Sequence, residues 1–548
     1  MISMWRCILI VLVLSLGAMP AVHAQTDNGI PENEDAELLF EEGVAAFEAG
    51  NYTEAYDRFR ATVEYPLHRK TTAALLMGGR ALFRAGRYAD AVSILETLLD
   101  RYPDTSYRSD ATRLINLSED AQREGHAAPD TLRIGMMLSL EDDDAPLSQA
   151  FFNGVRLAVD THNGVERRYV VPSAFRDRDF SVHETADLLG SDRADSEGAT
   201  TLTTERDTMV IDSLEVVTEQ TGPAPDRVAK MYVRHLATED DPSERSITAA
   251  VDSLVRHDRV DVIIGPFYSD QAEIAGAAAD DSDVVLIAPM ATEESVSAGR
   301  EYVFQANPSI EMRGRVMARY AAEGLMVRSS GIVYEQGNTL SRRMADGFRE
   351  EARSIGIDVP YTVEVESPRL WSRLSNVMES DTTITDEMRA ATQAMYIPFS
   401  GRNARGRIQE ALTGMERTQM GVRVLGNSEW HNLNIAREAS RFSTTYTNDF
   451  YVDTEREDVQ AFIQHYEILT GEAPDADSPT AKRLAYTGHD VAGYVLNTDA
   501  DALRLRPHVL RNAGRYDGLG IRIDFSNGNI NQGMFIHRYR NNQLELVR

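Results

Sequence analysis

Residues 261–310 decide the fold: DVIIGPFYSDQAEIAGAAADDSDVVLIAPMATEESVSAGREYVFQANPSI. The apolar run 262–264 breaks at Gly265-Pro266. A helical pattern follows, with Ile274, Ala275 and Ala278 on one face, and a second apolar run, 284–288, breaks at Pro289. Strand, loop, helix, strand, loop is the order of parallel βαβ units, whose short apolar strands are covered on both faces. Open sheets of this kind place ligands at the loops on the carboxyl ends of their strands.

Both loops carry small and hydroxyl residues where a helix can start. The first holds Tyr268, Ser269 and Asp270; the second holds Ala291, Thr292, Glu293 and Glu294. A helix amino terminus offers free N–H groups and partial positive charge, which suits a carboxylate. Each loop alone reads equally as an ordinary N-cap. Two of them on successive strands point to a shared site.

IIGPFYSD (263–270) and APMATEES (288–295) resemble the ligand loops of the branched-chain amino-acid-binding family of bacterial periplasmic solute receptors. The resemblance runs from about residue 131 to the end. It implies an α/β, two-lobed type I periplasmic-binding fold with parallel sheets. Lobe 1 would be 131–308 and 454–508, with an insertion at about 181–208, and lobe 2 would be 309–453 and 509–548. It also implies that Ser269, Ala291 and Thr292, with backbone N–H groups, clasp a ligand carboxylate. Glu429, after the strand 422–426, would pair with an ammonium, and Tyr268 and Trp430 would wall the cleft. Asn338 stands where the family presents an aromatic, and neither Thr339 nor Leu340 supplies one. The acidic loop 141–149 lacks the family's usual glycines.

The chain of 548 residues has room for about three or four units. Its 86 Asp+Glu against 56 Lys+Arg give a formal charge of −30, which argues against a nucleic-acid partner and against anionic lipid. Residues 1–24 read as a secretory signal, with Arg6, the apolar run 8–16 and Val22-His23-Ala24 as its three parts. The only cysteine, Cys7, precedes the apolar core, so it is no lipobox residue. The expected product is soluble in the periplasm, with neither disulfide nor thiolate-held metal.

After the leader 25–33, the segment 34–124 carries a repeat. Phe47, Gly50, Tyr52, Ala55 and Phe59 recur 36 residues later as Phe83, Gly86, Tyr88, Ala91 and Leu95. Paired helices held together by small residues and an aromatic account for such a pattern. It resembles tetratricopeptide repeats, with a capping helix at about 105–124, and reads as a protein-docking groove or a spacer. The segment 125–130 is a linker.

Further along, 131–140 reads as a buried strand, 213–218 as a strand, and 226–236 and 247–257 as helices. In lobe 2 a helix is expected from Arg313, a strand at 329–336, and a helix packing Phe348, Ala352 and Ile355. The stretch 379–390 reads as a loop, 393–398 as a strand, and Arg402, Arg405 and Arg407 as a solvated helix face. A hinge strand is expected at 450–453, helices at 459–470 and 487–496, a capped half-buried His489, and a hairpin around Asn527-Gly528.

No phosphate loop, dinucleotide fingerprint, zinc-protease helix or nucleophile elbow occurs, so neither an enzyme nor a cofactor is indicated. The favoured reading is a hinge-closing receptor for a small carboxylate or amino-acid-like solute, with a transporter permease as partner. The alternative follows from domain order. Helical repeats before a receptor-like domain resemble the outer-membrane activators of penicillin-binding proteins, whose partner is a cell-wall synthase and whose cleft need take no solute.

Overall fold

The computed structural model describes residues 31–124, 130–139, 144–170, 200–203, 208–211, 215–220, 227–236, 244–431, 433–476, 478–498 and 505–547. The expected signal segment lies outside them, as do most of the leader, the linker and the insertion, and residues 140–143 of the acidic loop. The chain divides into two units, Met1–Ala128 and Pro129–Arg548.

The first unit is five helices: α1 (Glu34–Glu48), α2 (Tyr52–Val63), α3 (Thr71–Arg84), α4 (Tyr88–Arg101) and α5 (Arg108–Glu124). Its two helical hairpins repeat the same contacts. A side chain on Gly43 would strike the Phe59 ring at 2.7 Å, and one on Gly79 would strike Leu95 at 2.6 Å. Phe47 and Tyr52 rings meet at 5.3 Å, and Phe83 and Tyr88 at 5.5 Å. The small residue brings the helices together and the large one fills the space left.

The second unit opens with β1 (Asp130–Leu138) and α6 (Ala145–His162). Two antiparallel pairs follow: β2 (Val165–Val170) with β5 (Glu215–Gln220), and β3 (Thr200–Thr203) with β4 (Thr208–Ile211). Then come β6 (Arg227–His235), β7 (Val262–Ile264), β8 (Val285–Ala288) and β9 (Val303–Gln305). A parallel sheet of order β6-β1-β7-β8-β9 results. The helix expected at 226–236 is thus strand β6. Its backbone pairs with β1 from Asp130↔Arg227 to Leu138↔His235, and the run RVAKMYV suits a half-covered edge strand.

The other sheet contains β10 (Ser330–Glu335), β11 (Thr362–Val365), β12 (Ala394–Tyr396), β13 (Arg423–Gly426) and β14 (Thr445–Asn448). After the small pair β15 (Tyr516–Asp517) and β16 (Arg522–Ile523), it gains β17 (Phe535–Arg540) and β18 (Gln543–Val547). Its order is β11-β10-β12-β13-β14-β17-β18, parallel up to β14 and antiparallel beyond.

The chain passes between the sheets at 306–309, 449–456 and 524–534. The expected strand at 450–453 joins no ladder; Tyr451 N–H donates instead to Gly520 O at 2.9 Å. The start of the final lobe 2 segment also moves. Leu510, Ile521, Ile523 and Phe525 pack into the core of the first sheet, and Gln305 pairs with Ile530, so 509–531 stays with lobe 1. The expected hairpin at Asn527-Gly528 is not one, since β16 and β17 lie in different sheets. The hairpin is β17–β18, turned by Asn541 and Asn542, both at positive φ as a two-residue turn requires. The stretch 379–390 includes most of a short helix, Asp386–Ala391, capped by the Thr385 hydroxyl. Ile355 is exposed, while Phe348 and Ala352 are buried.

Beneath the second crossing lies an aromatic nest. His537 is 1 % exposed, and neither ring nitrogen has a hydrogen-bond partner among the described residues. Its ring stacks on Tyr446 and meets Tyr451 and His431 edge-on. Burial, then the neighbouring His431 and Arg522, push its pKa from 6.5 down to about 3.

Two outcomes follow from this packing. Helices Ile310–Glu323 and Thr339–Ser354 cross so closely that a side chain at Gly314 would meet Met344 O at 2.0 Å. Gly314→Val should cost about 1–3 kcal/mol or more in denaturant unfolding. Gly406→Ala, in open space on helix Ala404–Arg417, should be neutral or stabilising. The second concerns pH. The folded His537 pKa is depressed, so the unfolded state binds the extra proton, and stability should fall as pH drops from 6.5 toward 3. Urea midpoints between pH 7 and pH 4 should show this loss, and His537→Phe should flatten it.

Candidate functional site

The carboxyl ends of both sheets' central strands face the crossings. On lobe 1 these are the loops after β7 and β8. Gly265 sits at φ +101°, and a side chain there would strike Met137 O at 2.6 Å, so the loop after β7 needs its glycine. Tyr268 then precedes helix Ser269–Asp280; it is 46 % exposed, and its hydroxyl donates to Asp144 Oδ1 at 2.8 Å. Burial of the hydroxyl and that carboxylate raise its pKa to about 12, so it remains a donor.

Ser269 and Thr292 do come together. The Ser269 hydroxyl accepts from the N–H groups of Thr292 at 3.1 Å and Glu293 at 3.4 Å. The two loops are therefore braced to each other, and those two amide hydrogens already have an acceptor. Ala291 is buried and offers no side chain to the cleft; its carbonyl accepts from the Gln305 amide at 3.3 Å.

On lobe 2, Asn338 caps helix Thr339–Ser354 by accepting from Ser341 N–H at 3.1 Å. It also donates to Ser400 O at 3.1 Å and accepts from the Ser400 hydroxyl at 2.7 Å, which joins the loops after β10 and β12. Glu335 pairs with Arg407. Arg407 is therefore half-buried and engaged, unlike the exposed Arg402 and Arg405 beside it.

Glu429 stands at the loop after β13 and is exposed as a residue. Loss of water around its carboxyl raises its pKa, against the pull of the Gly401 N–H and Arg407; Asp449 adds to the rise and Arg313 opposes it. Its neighbour corrects the expectation of an aromatic wall. Trp430 is fully buried, packs on Phe399 at 5.8 Å and donates its indole N–H to Ile397 O at 3.2 Å. Gly426 makes room for its ring, so Trp430 is core and not cleft.

Where the chain crosses between the two sheets lies a cluster that sequence reasoning missed. Asp449, 3 % exposed, follows β14. Its Oδ2 lies 2.6 Å from Arg483, on lobe 1 helix Pro479–Asn497, and 3.3 Å from Arg313, on lobe 2 helix Ile310–Glu323. Burial alone would raise its pKa, but Arg313 and Arg483 hold the carboxyl well below the usual range. Asn307, at the first crossing, accepts from Arg483 at 3.1 Å and donates to Met290 O at 3.0 Å. Each member lies in a different segment, with no shared spacing; an acid directly after a strand was the one available signal.

Higher on the walls the lobes are tied by Arg343 to Glu293 at 2.7 Å and by Arg315 to Glu294. Surface depressions of about 570 Å³ at Glu294, Arg300 and Arg511, and about 450 Å³ at Met326, Gln393 and Arg423, touch none of the seven expected residues. Among the described residues no group of three or more His, Cys, Asp or Glu could hold a metal ion.

Several solved structures are similar to the second unit in part. One, from Rhodospirillum rubrum and provisionally described as a branched-chain amino acid ABC transporter, is 17 % identical, covers 76 % of this chain and 100 % of its own, and has a TM-score of 0.49. An ABC transporter substrate-binding protein from Desulfitobacterium hafniense, in complex with Leu, is 16 % identical over 76 % of this chain and 100 % of its own, with a TM-score of 0.41. A solute-binding protein from R. palustris in complex with benzoate is 14 % identical over 76 % of this chain and 96 % of its own, at 0.37. No curated protein matches the chain. The family model for periplasmic binding protein matches residues 236–374, and that for tetratricopeptide repeat matches 46–113. With the sheet order above, the first unit carries tetratricopeptide-like helical repeats and the second has the parallel-sheet α/β architecture of the type I periplasmic-binding fold.

Proposed function

We propose that the second unit is a receptor for a small carboxylate or amino-acid-like solute, closing on it by hinge motion, and that the helical repeats are a protein-docking module. One observation carries this reading. Polar and charged groups from both lobes, Glu429, Arg313, Arg483 and Asn307, converge where the chain crosses between two separately packed sheets. Hinged lobes with a polar floor are built to close around a ligand. Tyr268 and Asn338 form the rims, Ser269 and Thr292 brace one wall, and Glu429 takes an amine.

The working place is the periplasm, after loss of the signal segment, with a transporter permease as the natural partner. Among the described residues no helix is long and apolar enough to cross a membrane. A second reading is a regulatory scaffold of cell-wall synthesis whose cleft takes no transported solute. The ties Arg343–Glu293 and Arg315–Glu294 favour it, because the protein's own side chains bridge the two lobes.

Thermal melting of the secreted chain against the L-amino acids, acetate, succinate and benzoate separates the two. A ligand at 100 times its Kd adds about 2.7 kcal/mol, a rise of a few degrees for a unit of this size. The receptor reading expects such a rise with at least one compound, and about tenfold weaker binding of an amine-bearing one in Glu429→Gln. Flat melts throughout, with a cell-wall synthase retained by the full chain and lost on deletion of 34–124, would instead establish the scaffold.

A further inference from the structure

We infer that the base of the cleft is an anion seat, formed by Arg313 and Arg483 beside Asn307, which takes the carboxylate of a monoanionic organic acid or zwitterion. This rests on the receptor reading. It moves the ligand's acid end from the Ser269–Thr292 loops to the hinge.

The count of charges around each arginine carries the argument. Arg343 meets two carboxylates, Glu293 and Glu311, and Arg315 meets two, Glu294 and Glu350. Arg407 meets Glu335. At the hinge the ratio inverts: two guanidiniums share the one carboxylate of Asp449. The next carboxylate, Glu429, acts on Arg313 from farther off and makes no ion pair with either guanidinium among the described residues, so donors stay unengaged where water is scarce, and there a carboxylate is bound strongly.

The donors are also underused. A guanidinium has five N–H groups. The Nε of Arg483 is buried with no acceptor among the described residues. Arg313 reaches Pro308 O at 3.4 Å, Asn307 Oδ1 at 3.5 Å and Asp449 at 3.3 Å, all longer than a good hydrogen bond. Arg483 lies over the Phe450 ring at 5.4 Å, which holds its planar fork in place before any ligand arrives.

Two further facts set the class of ligand. Two guanidiniums in direct contact with one carboxylate match one further monoanion better than a dianionic phosphate. The loop amides that would otherwise receive the acid are donated to Ser269 Oγ. An amine on the same molecule then falls to Glu429, whose carboxyl lies within the electrostatic reach of Arg313.

The test is calorimetric titration of the full chain with whichever of the L-amino acids, acetate, succinate or benzoate gives the largest melting shift, and with inorganic phosphate. Arg483→Gln should weaken the carboxylate by about tenfold or more. Because that change leaves Asp449 with one partner, Asp449→Asn/Arg483→Gln is measured too; it keeps the charge balanced and should remain as weak with an unchanged circular dichroism spectrum. Ser269→Ala should weaken binding less than either. Wild-type affinity in both arginine variants, or a loss confined to Ser269→Ala, overturns the seat and leaves the receptor reading intact. Binding of phosphate and of no carboxylate overturns the ligand class. Absence of binding by every probe to the unaltered chain removes the receptor reading, and the seat with it.

Discussion

A single buried carboxylate, Asp449, is shared by an arginine from each lobe. Arg313 lies in the first turn of the first helix after one crossing, and Arg483 lies near the start of the long helix that packs against α6. A buried ion pair is weak evidence for net stability, because desolvation offsets most of the attraction. Its consequence here is geometric. The pair fixes where the helix starts of the two lobes stand relative to the crossing chain, and so sets the floor of the cleft that both walls share.

The crossings around it are fastened by amides. Asn531 donates to Ala306 O at 2.7 Å and to Arg522 O at 2.6 Å, and Asn307 holds Met290 O. Nearby, Asp490 accepts three backbone N–H groups, from Leu519, Gly520 and Ile521, at 2.7–2.9 Å. Each wall is braced in the same way, by Ser269 across the lobe 1 loops and by Asn338 with Ser400 across the lobe 2 loops. In the proposed receptor, walls braced in this way on a pinned floor would confine motion to the crossings themselves. The side chains that brace the walls are therefore not the ones left with spare donors; those lie at the floor.

The parallel core strands and the helical repeat were legible because local pattern and tertiary role agree. VII and VLIA are short apolar runs broken by Gly or Pro, and the 36-residue recurrence is kept in three dimensions by Gly43 with Phe59 and Gly79 with Leu95. Strand β6 was misread because a half-covered edge strand lacks a clean alternation, and its partner β1 is nearly a hundred residues away. Trp430 was misplaced because a tryptophan at a strand end reads equally as a cleft wall or as core. The deciding neighbour, Gly426, leaves a hollow that only packing reveals. The hinge cluster was hidden for a related reason. Asn307, Arg313, Asp449 and Arg483 come from four segments, and nothing in their spacing announces that they meet.

The central claim is that two lobes move as bodies about this floor and close on a solute. It is tested most directly by electron-spin distance measurement between labels on Asp270→Cys and Arg342→Cys, exposed residues on opposite rims. Cys7 is the chain's only cysteine, so Cys7→Ser is combined with the label sites to leave no competing thiol. The account predicts a broad or long distance distribution that shortens and narrows when the solute found by melting is added. A distribution that is the same with and without that solute would contradict it.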